Sequence, residues 1–245
     1  MFKHTFIFPK QIIMKKTILK SAAFMLAAAT LLISCKKEEE KAEAKVLVTH
    51  ASPNAPGVDL LVDNTKVNSA ALTFPNSTSY LTVKAGQRNI KVNAAGTTTN
   101  VINANIDFVK DKNYSLFAYN LLASIGAVLV EDNLAAPASG KAHIRFFHLS
   151  PGAPAVTVGV LSGSNFTPVF TNRAFETQAT ATANQAFTPV DAGTYTFDVR
   201  LPGTTTSVLT VPGVALQAGK IYTVFARGIV GNTTTPLSAS VITHN

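Results

Sequence analysis

This chain of 245 residues contains one cysteine, no tryptophan and only 13 acidic residues. A lone cysteine excludes an internal disulfide and any zinc site built on cysteine pairs. The missing tryptophan removes the largest aromatic platform on which a sugar could stack. Only nine acidic residues lie beyond residue 44, and they are scattered. They supply neither the converging oxygens of a calcium site nor a close carboxylate pair for glycoside hydrolysis. No HExxH pair, GxSxG elbow or P-loop lysine step occurs anywhere. The formal charge of +8 is also less than it seems. Lys3, Lys10, Lys15, Lys16 and Lys20 precede the cysteine and no acidic residue does, so the rest carries 16 basic against 13 acidic groups. That balance argues against a phosphate-tracking surface, and no nucleic-acid partner is expected.

What is present begins with a leader. Met14-Lys15-Lys16 is a basic start, Ala22–Ile33 is an apolar run too short to span a membrane, and Leu32-Ile33-Ser34-Cys35 closes it. The first 13 residues add nothing to this signal, so Met14 is read as the initiator. Leu-Ile-Ser-Cys resembles the bacterial lipobox, which implies cleavage after residue 34. It also implies a diacylglycerol on the Cys35 sulfur and a further acyl chain, such as palmitate, on its amine. Two or three acyl chains anchor stably where one binds only marginally. Residues 35–44 then form a charged tether, Lys36-Lys37-Glu38-Glu39-Glu40-Lys41, which can bury nothing. Cys-Lys-Lys-Glu-Glu-Glu is similar to the acidic export signal of Bacteroidetes lipoproteins. The expected address is therefore the outer membrane, lipid-anchored and exposed at the cell surface.

The remainder is a duplication. His50–Val62, HASPNAPGVDLLV, and His148–Val160, HLSPGAPAVTVGV, agree at seven of thirteen positions. Val83-Lys84-Ala85-Gly86, Gly96-Thr97-Thr98-Thr99 and Lys112–Ala118 recur in the same order as Val190–Gly193, Gly203–Thr206 and Lys220–Ala226, with about nine extra residues near 162–185 in the second copy. Short alternating runs such as Val58, Leu60 and Val62 have the period of half-buried strands, with about seven per copy and no convincing amphipathic helix beyond the leader. The expected fold is all-β: two tandem antiparallel immunoglobulin-like sandwiches, residues 45–132 and 141–245, joined by a linker over 133–140.

The candidate chemistry is thin. His50 shares strand parity with Val46 and Val48, and His148 with Ile144 and Phe146, so both should point inward at a strand end and satisfy loop backbone groups. Ser52 and Ser150 precede Pro53 and Pro151, which hold them extended, and Pro56 and Pro154 stiffen the rest of each turn. His143 and His148 face opposite sides of one strand, which spoils a shared metal site. Asp59 and Asp63 are placed on the outward face of one strand, about 13 Å apart. The two Gly-Thr-Thr-Thr steps are read as turns.

HxSPxAP, followed by a V-D-L-L-V-D strand, a V-x-A-G turn, a G-T-T-T step and a K-x-Y-x-x-F strand, resembles the bacterial family called domain of unknown function 4397, over both halves. Thr157 and Leu161 depart from it where the first copy has Asp59 and Asp63. The resemblance implies an extracytoplasmic β-rich module and nothing catalytic. The sequence therefore points to a non-enzymatic cell-envelope lipoprotein without cofactor or metal. Such a protein meets the membrane through its lipid and contacts an envelope protein or a glycan through its loops. The alternative is a carbohydrate-binding or adhesion accessory of a surface glycan-handling system.

Overall fold

The computed structural model describes residues 42–245; the signal peptide, Cys35 and most of the tether lie outside the described residues. The first repeat supplies β1 (Glu43–Ala51), β2 (Val58–Val62), β3 (Thr65–Lys66), β4 (Leu81–Lys84), β5 (Gly86–Ala94), β6 (Asn100–Phe108), β7 (Asn113–Tyr119) and β8 (Gly126–Glu131). The second supplies β9 (Lys141–His148), β10 (Val156–Ser162), β11 (Asn165–Arg173), helix α1 (Gln178–Ala183), β12 (Thr188–Asp191), β13 (Gly193–Arg200), β14 (Ser207–Leu216), β15 (Ile221–Arg227) and β16 (Ser238–Thr243).

These strands form four sheets of four, with the same order in each repeat: β4-β1-β7-β8 answers to β12-β9-β15-β16, and β3-β2-β5-β6 to β11-β10-β13-β14. The fold is all-β and sandwich-like in both halves. In each repeat a tyrosine hydroxyl, Tyr114 or Tyr222, accepts from a backbone N–H five residues upstream, Val109 at 3.1 Å or Gln217 at 3.0 Å. That device is the tyrosine corner of immunoglobulin-like sandwiches. Pairing is antiparallel except at the centre of one sheet per repeat, where β1 runs parallel to β7 and β9 to β15.

The parallel pairs explain a departure from simple alternation. β1 is buried at nearly every position from Val46 to Ala51, and β9 at every position from Ile144 to His148. Strands covered on both faces need apolar side chains of both parities. Even-numbered Val46, Val48 and Leu116 pack on Val58, Leu60 and Val92 inside the first sandwich. Ile144 and Phe146 do the same on Val158 and Phe197 in the second. Odd-numbered Leu47, Phe117, Phe147 and Phe225 build a third core that joins the two repeats. Phe117 meets its own counterpart, Phe225, with ring centroids 5.9 Å apart, and Phe147 at 5.4 Å. The result is four stacked layers related by an internal pseudo-two-fold axis.

The direction of that axis matters. Phe117, at the level of Thr49 in β1, packs on Phe147, and Arg145 lies against Ser115, two residues further back on both sides. All four central strands, β1, β7, β9 and β15, thus point the same way. The chain enters at Ala42 at one end of the strands. The HASPNAP and HLSPGAP turns both emerge at the other.

The extra residues of the second repeat are more ordered than a loop. They extend β11 to nine residues and build α1, whose Thr177 cap and Thr180 bond reciprocally as a capping box. Six residues, alternating alanine with glutamine and threonine, are too few to show a helical period, which is why the sequence hides this helix. Gln178 then pairs its amide with the backbone N–H and C=O of Leu129, and Gln185 accepts from Glu131 N–H, covering the outer edge of β8.

Candidate functional site

The turn motifs are structural at their base. His50 is buried and its Nε2–H donates to Pro56 O at 2.9 Å; His148 repeats the bond to Pro154 O at 2.9 Å. A carbonyl can only accept, so the bond fixes the tautomer in both. Burial lowers both histidines' pKa, with the carbonyl bond opposing it. Ser52, Pro53, Ser150 and Pro151 are buried, while Pro56 and Pro154 lie exposed at the tips. Each Gly-Thr-Thr-Thr step is a hydroxyl-braced turn: Thr97 and Thr204 bond Ala94 O and Leu201 O, and accept from Thr99 N–H and Thr206 N–H.

The carboxylates on the outward face need correction. Asp63 lies beyond the end of β2, in a left-handed turn position with φ 49°, where it accepts from Asn89 N–H and pairs with Arg88. Asp59 is on the strand but largely covered, because Lys66 bridges to it at 2.7 Å and Gly96 N–H donates at 3.0 Å. Those bonds, Lys66 first, hold its carboxyl below the usual range. Both are committed to holding turns.

The concentration of acid–base groups lies elsewhere, at the opposite end of the interface between repeats, and sequence reasoning missed it. Arg145 on β9 is fully buried, flanked by the rings of Phe147 at 5.0 Å and Phe187 at 4.4 Å. Its Nη2 pairs with Asp132, which is equally buried, and its Nε–H donates to Thr223 Oγ1 at 2.8 Å. Thr223 in turn donates to His244 Nε2 at 2.7 Å. The Tyr80 hydroxyl donates to Asp132 Oδ2 at 2.6 Å and so receives His244 Nδ1–H at 2.8 Å. Ser115 completes the set on Asp132 at 2.8 Å. Three residues from each repeat close a ring in which every proton has a place and His244 stays neutral. Burial, assisted by the Arg145 charge and opposed by Asp132, pushes His244 down to about 4. Burial and Asp132 likewise raise the Tyr80 phenol, so it does not ionise in the ordinary range.

Asp132 and His244 are themselves counterparts. Tyr114 pairs with Glu131 and Tyr222 with Thr243, so each is the next residue along. Arg145 occupies the place of Leu47. Nothing local in HIRFFHLS announces a buried arginine, because its partner comes from the other repeat.

Clefts among the described residues include two of a size to hold a small ligand. One of about 290 Å³ lies beside the ring and is lined by Glu131, Asn133, His143, Gln185 and Phe187. The other, about 460 Å³, lies between β11 and α1. Among the described residues no group of three His, Cys, Asp or Glu side chains could hold a metal ion, and no helix is long and apolar enough to cross a membrane.

No curated protein matches the chain. Among solved structures it is similar to a carbohydrate-binding module of family 26 from Eubacterium rectale Amy13K, in complex with maltoheptaose. That match has 10% identity and a TM-score of 0.26, covering 81% of this chain and 96% of that one. It is also similar to a candidate cell adhesion protein from Parabacteroides distasonis, at 11% identity and a TM-score of 0.23, covering 82% and 98%. A further likeness is to a candidate cell adhesion protein from Bacteroides fragilis, at 10% and 0.21, covering 82% and 97%. Residues 44–159 match a family whose members are described as a domain of unknown function, DUF4397. The match runs from β1 through the first repeat and the linker into β10, and so includes both HxSPxAP turns. Over that stretch the sequence matches the DUF4397 family model.

Proposed function

We propose that this chain is a non-enzymatic cell-envelope lipoprotein, held to the outer membrane by acyl chains on Cys35, that presents two turns side by side to an envelope or extracellular partner. The observation that carries this reading is the common direction of the central strands. A lipid on Cys35 and a tether of a few residues feed the chain in at Ala42. The nine residues of β1 then carry it about 30 Å to the opposite end. Both HxSPxAP turns project there, at the end of the strands opposite Ala42. Their buried histidines and serines set the backbone, and the exposed Pro56 and Pro154 are what a partner meets. The non-enzymatic character is supported by the closure of the acid–base ring, whose side chains bond inward to one another.

The test is photo-crosslinking in intact cells from Pro56 and Pro154, with Asp111, exposed at the entry end, as the control. The same protein or polysaccharide captured from both turns and not from residue 111 is the expected result. Equal capture from residue 111, or none from the turns, overturns the reading. Cys35→Ala should leave unprocessed precursor and abolish detergent-phase partitioning; normal processing of that variant removes the anchor from the proposal.

A further inference from the structure

The cleft between β11 and α1 is built by elements that the first repeat does not have: its counterpart of β11 is the two-residue β3. Arg173 ends β11 and pairs with Val156, two residues past Pro154, which places the cleft beside the HLSPGAP turn at the projecting end. The guanidinium lies over the ring of Phe170 at 5.3 Å. It makes no ion pair among the described residues, and its Nη1 is buried with no hydrogen-bond partner. A half-buried cation with no ion-pair partner in bonding distance is costly: burial lowers its pKa, and the charge of Glu176 offsets only part of that.

Glu176 acts on Arg173 through its charge but makes no bond to it. Its carboxylate is buried and already accepts from Thr180 Oγ1 at 2.5 Å and Asn184 Nδ2 at 3.1 Å. The walls add hydroxyls and amides, Thr171 and Asn172 on one side and Thr180 and Asn184 on the other. Asn172 is exposed in a left-handed conformation, φ 48°, so its side chain stands at the rim. One fork-shaped cation that matches a carboxylate is thus surrounded by groups that match hydroxyls, in a space of the size that takes a sugar unit.

We propose that this cleft binds the carboxylate of a uronic acid residue in an acidic glycan. Arg173 takes the carboxylate, and Asn172, Asn184 and the threonines take the ring hydroxyls. The site deepens the binding role proposed above by naming a ligand class, and its chemistry is independent of the anchor and the turns.

The experiment is saturation-transfer difference NMR on the full chain in detergent, with galacturonate and glucuronate against galactose and glucose. Transfer from the acids and none from the neutral sugars is expected. Arg173→Gln should weaken binding at least tenfold, and Arg173→Lys less. Asn172→Asp, which a left-handed rim position tolerates, should weaken it several-fold by repulsion without touching Arg173. No transfer from the uronates, equal transfer from neutral sugars, or unchanged binding in both Arg173→Gln and Asn172→Asp overturns the site. Turn crosslinks that persist while uronates fail to bind refute this site alone; uronate binding without turn crosslinks refutes the display reading alone.

Discussion

At the HASPNAP turn, His50 Nδ1 and Ser52 Oγ are buried without a hydrogen-bond partner. At HLSPGAP the same atoms are engaged: His148 Nδ1 accepts from Ser150 N–H at 3.3 Å, and Ser150 Oγ donates to Gly228 O at 2.7 Å. The counterpart of Gly228 is Asn120, also left-handed, whose side chain serves its own loop through Leu121 N–H and Ser124 O. Beyond it the first repeat turns directly into β8, while the second takes a longer path to β16. That path crosses so close to Gly228 that any side chain there would collide with Pro236 O. The two copies share the histidine's bond to the carbonyl six residues on, while the local bond from the serine N–H and the bond from the serine hydroxyl to another loop belong to the second copy alone. The interface shows the same divergence. Counterpart positions hold Leu47 and Arg145, Ser115 and Thr223, and Asp132 and His244, so a symmetric seam carries one asymmetric ion pair.

Breaking that asymmetry should have the largest effect. Asp132→Ala leaves Arg145 charged and buried between Phe147 and Phe187 and should cost about 3–5 kcal/mol in urea unfolding. Replacing both, as Asp132→Leu with Arg145→Met, returns the seam toward the apolar character of Leu47 and should recover most of that loss. A double variant as unstable as Asp132→Ala would show that the ring, rather than the lone charge, carries the stability.

Acid comes next. His244 has a folded pKa near 4 against an ordinary 6.5, so the unfolded chain takes up its proton first. Stability is full above about pH 6.5 and falls as pH drops toward 4, by at most about 3 kcal/mol from this residue. His50 and His148 are lowered in the same direction and add to the same limb. His244→Gln should flatten the limb measurably; an unaltered acid profile would mean that the ring accepts the proton without penalty.

The smallest effect sharpens the comparison most. Ser150→Ala strands Gly228 O and should cost about 1–2 kcal/mol, whereas Ser52→Ala removes a hydroxyl that bonds nothing and should be close to neutral. Equal costs in thermal melts would show that Ser52 has a partner after all.

Much of this architecture was legible in the sequence, because strand alternation and the repeated turn residues are local signals. The alternation of Val58, Leu60 and Val62 falls on β2, and the eight strands of each repeat are one more than the seven expected. The third core was not seen, although its sign was present: Val46-Leu47-Val48, Leu116-Phe117 and Phe146-Phe147 place apolar side chains on both faces. Period-two reasoning assigns one face to solvent and so discards half of that information. The acid–base ring had no local sign at all. Tyr80, Asp132, Arg145 and His244 are far apart in sequence, and only the packing of one repeat on the other makes them neighbours.

The parallel pair at the heart of the first repeat has a mechanical meaning. β1 is the strand by which the chain enters the body, and it is laddered to β7 over seven residues, Lys45 to Ala51, and to β4 over four. A pull between a partner gripping the HLSPGAP turn and the N-terminal side acts along β1 through the body, so these hydrogen bonds are loaded in shear and share the force together. A strand peeled from its end would give them up one at a time. The end that a partner would hold and the end from which the chain leaves are thus connected by the element least suited to unzipping.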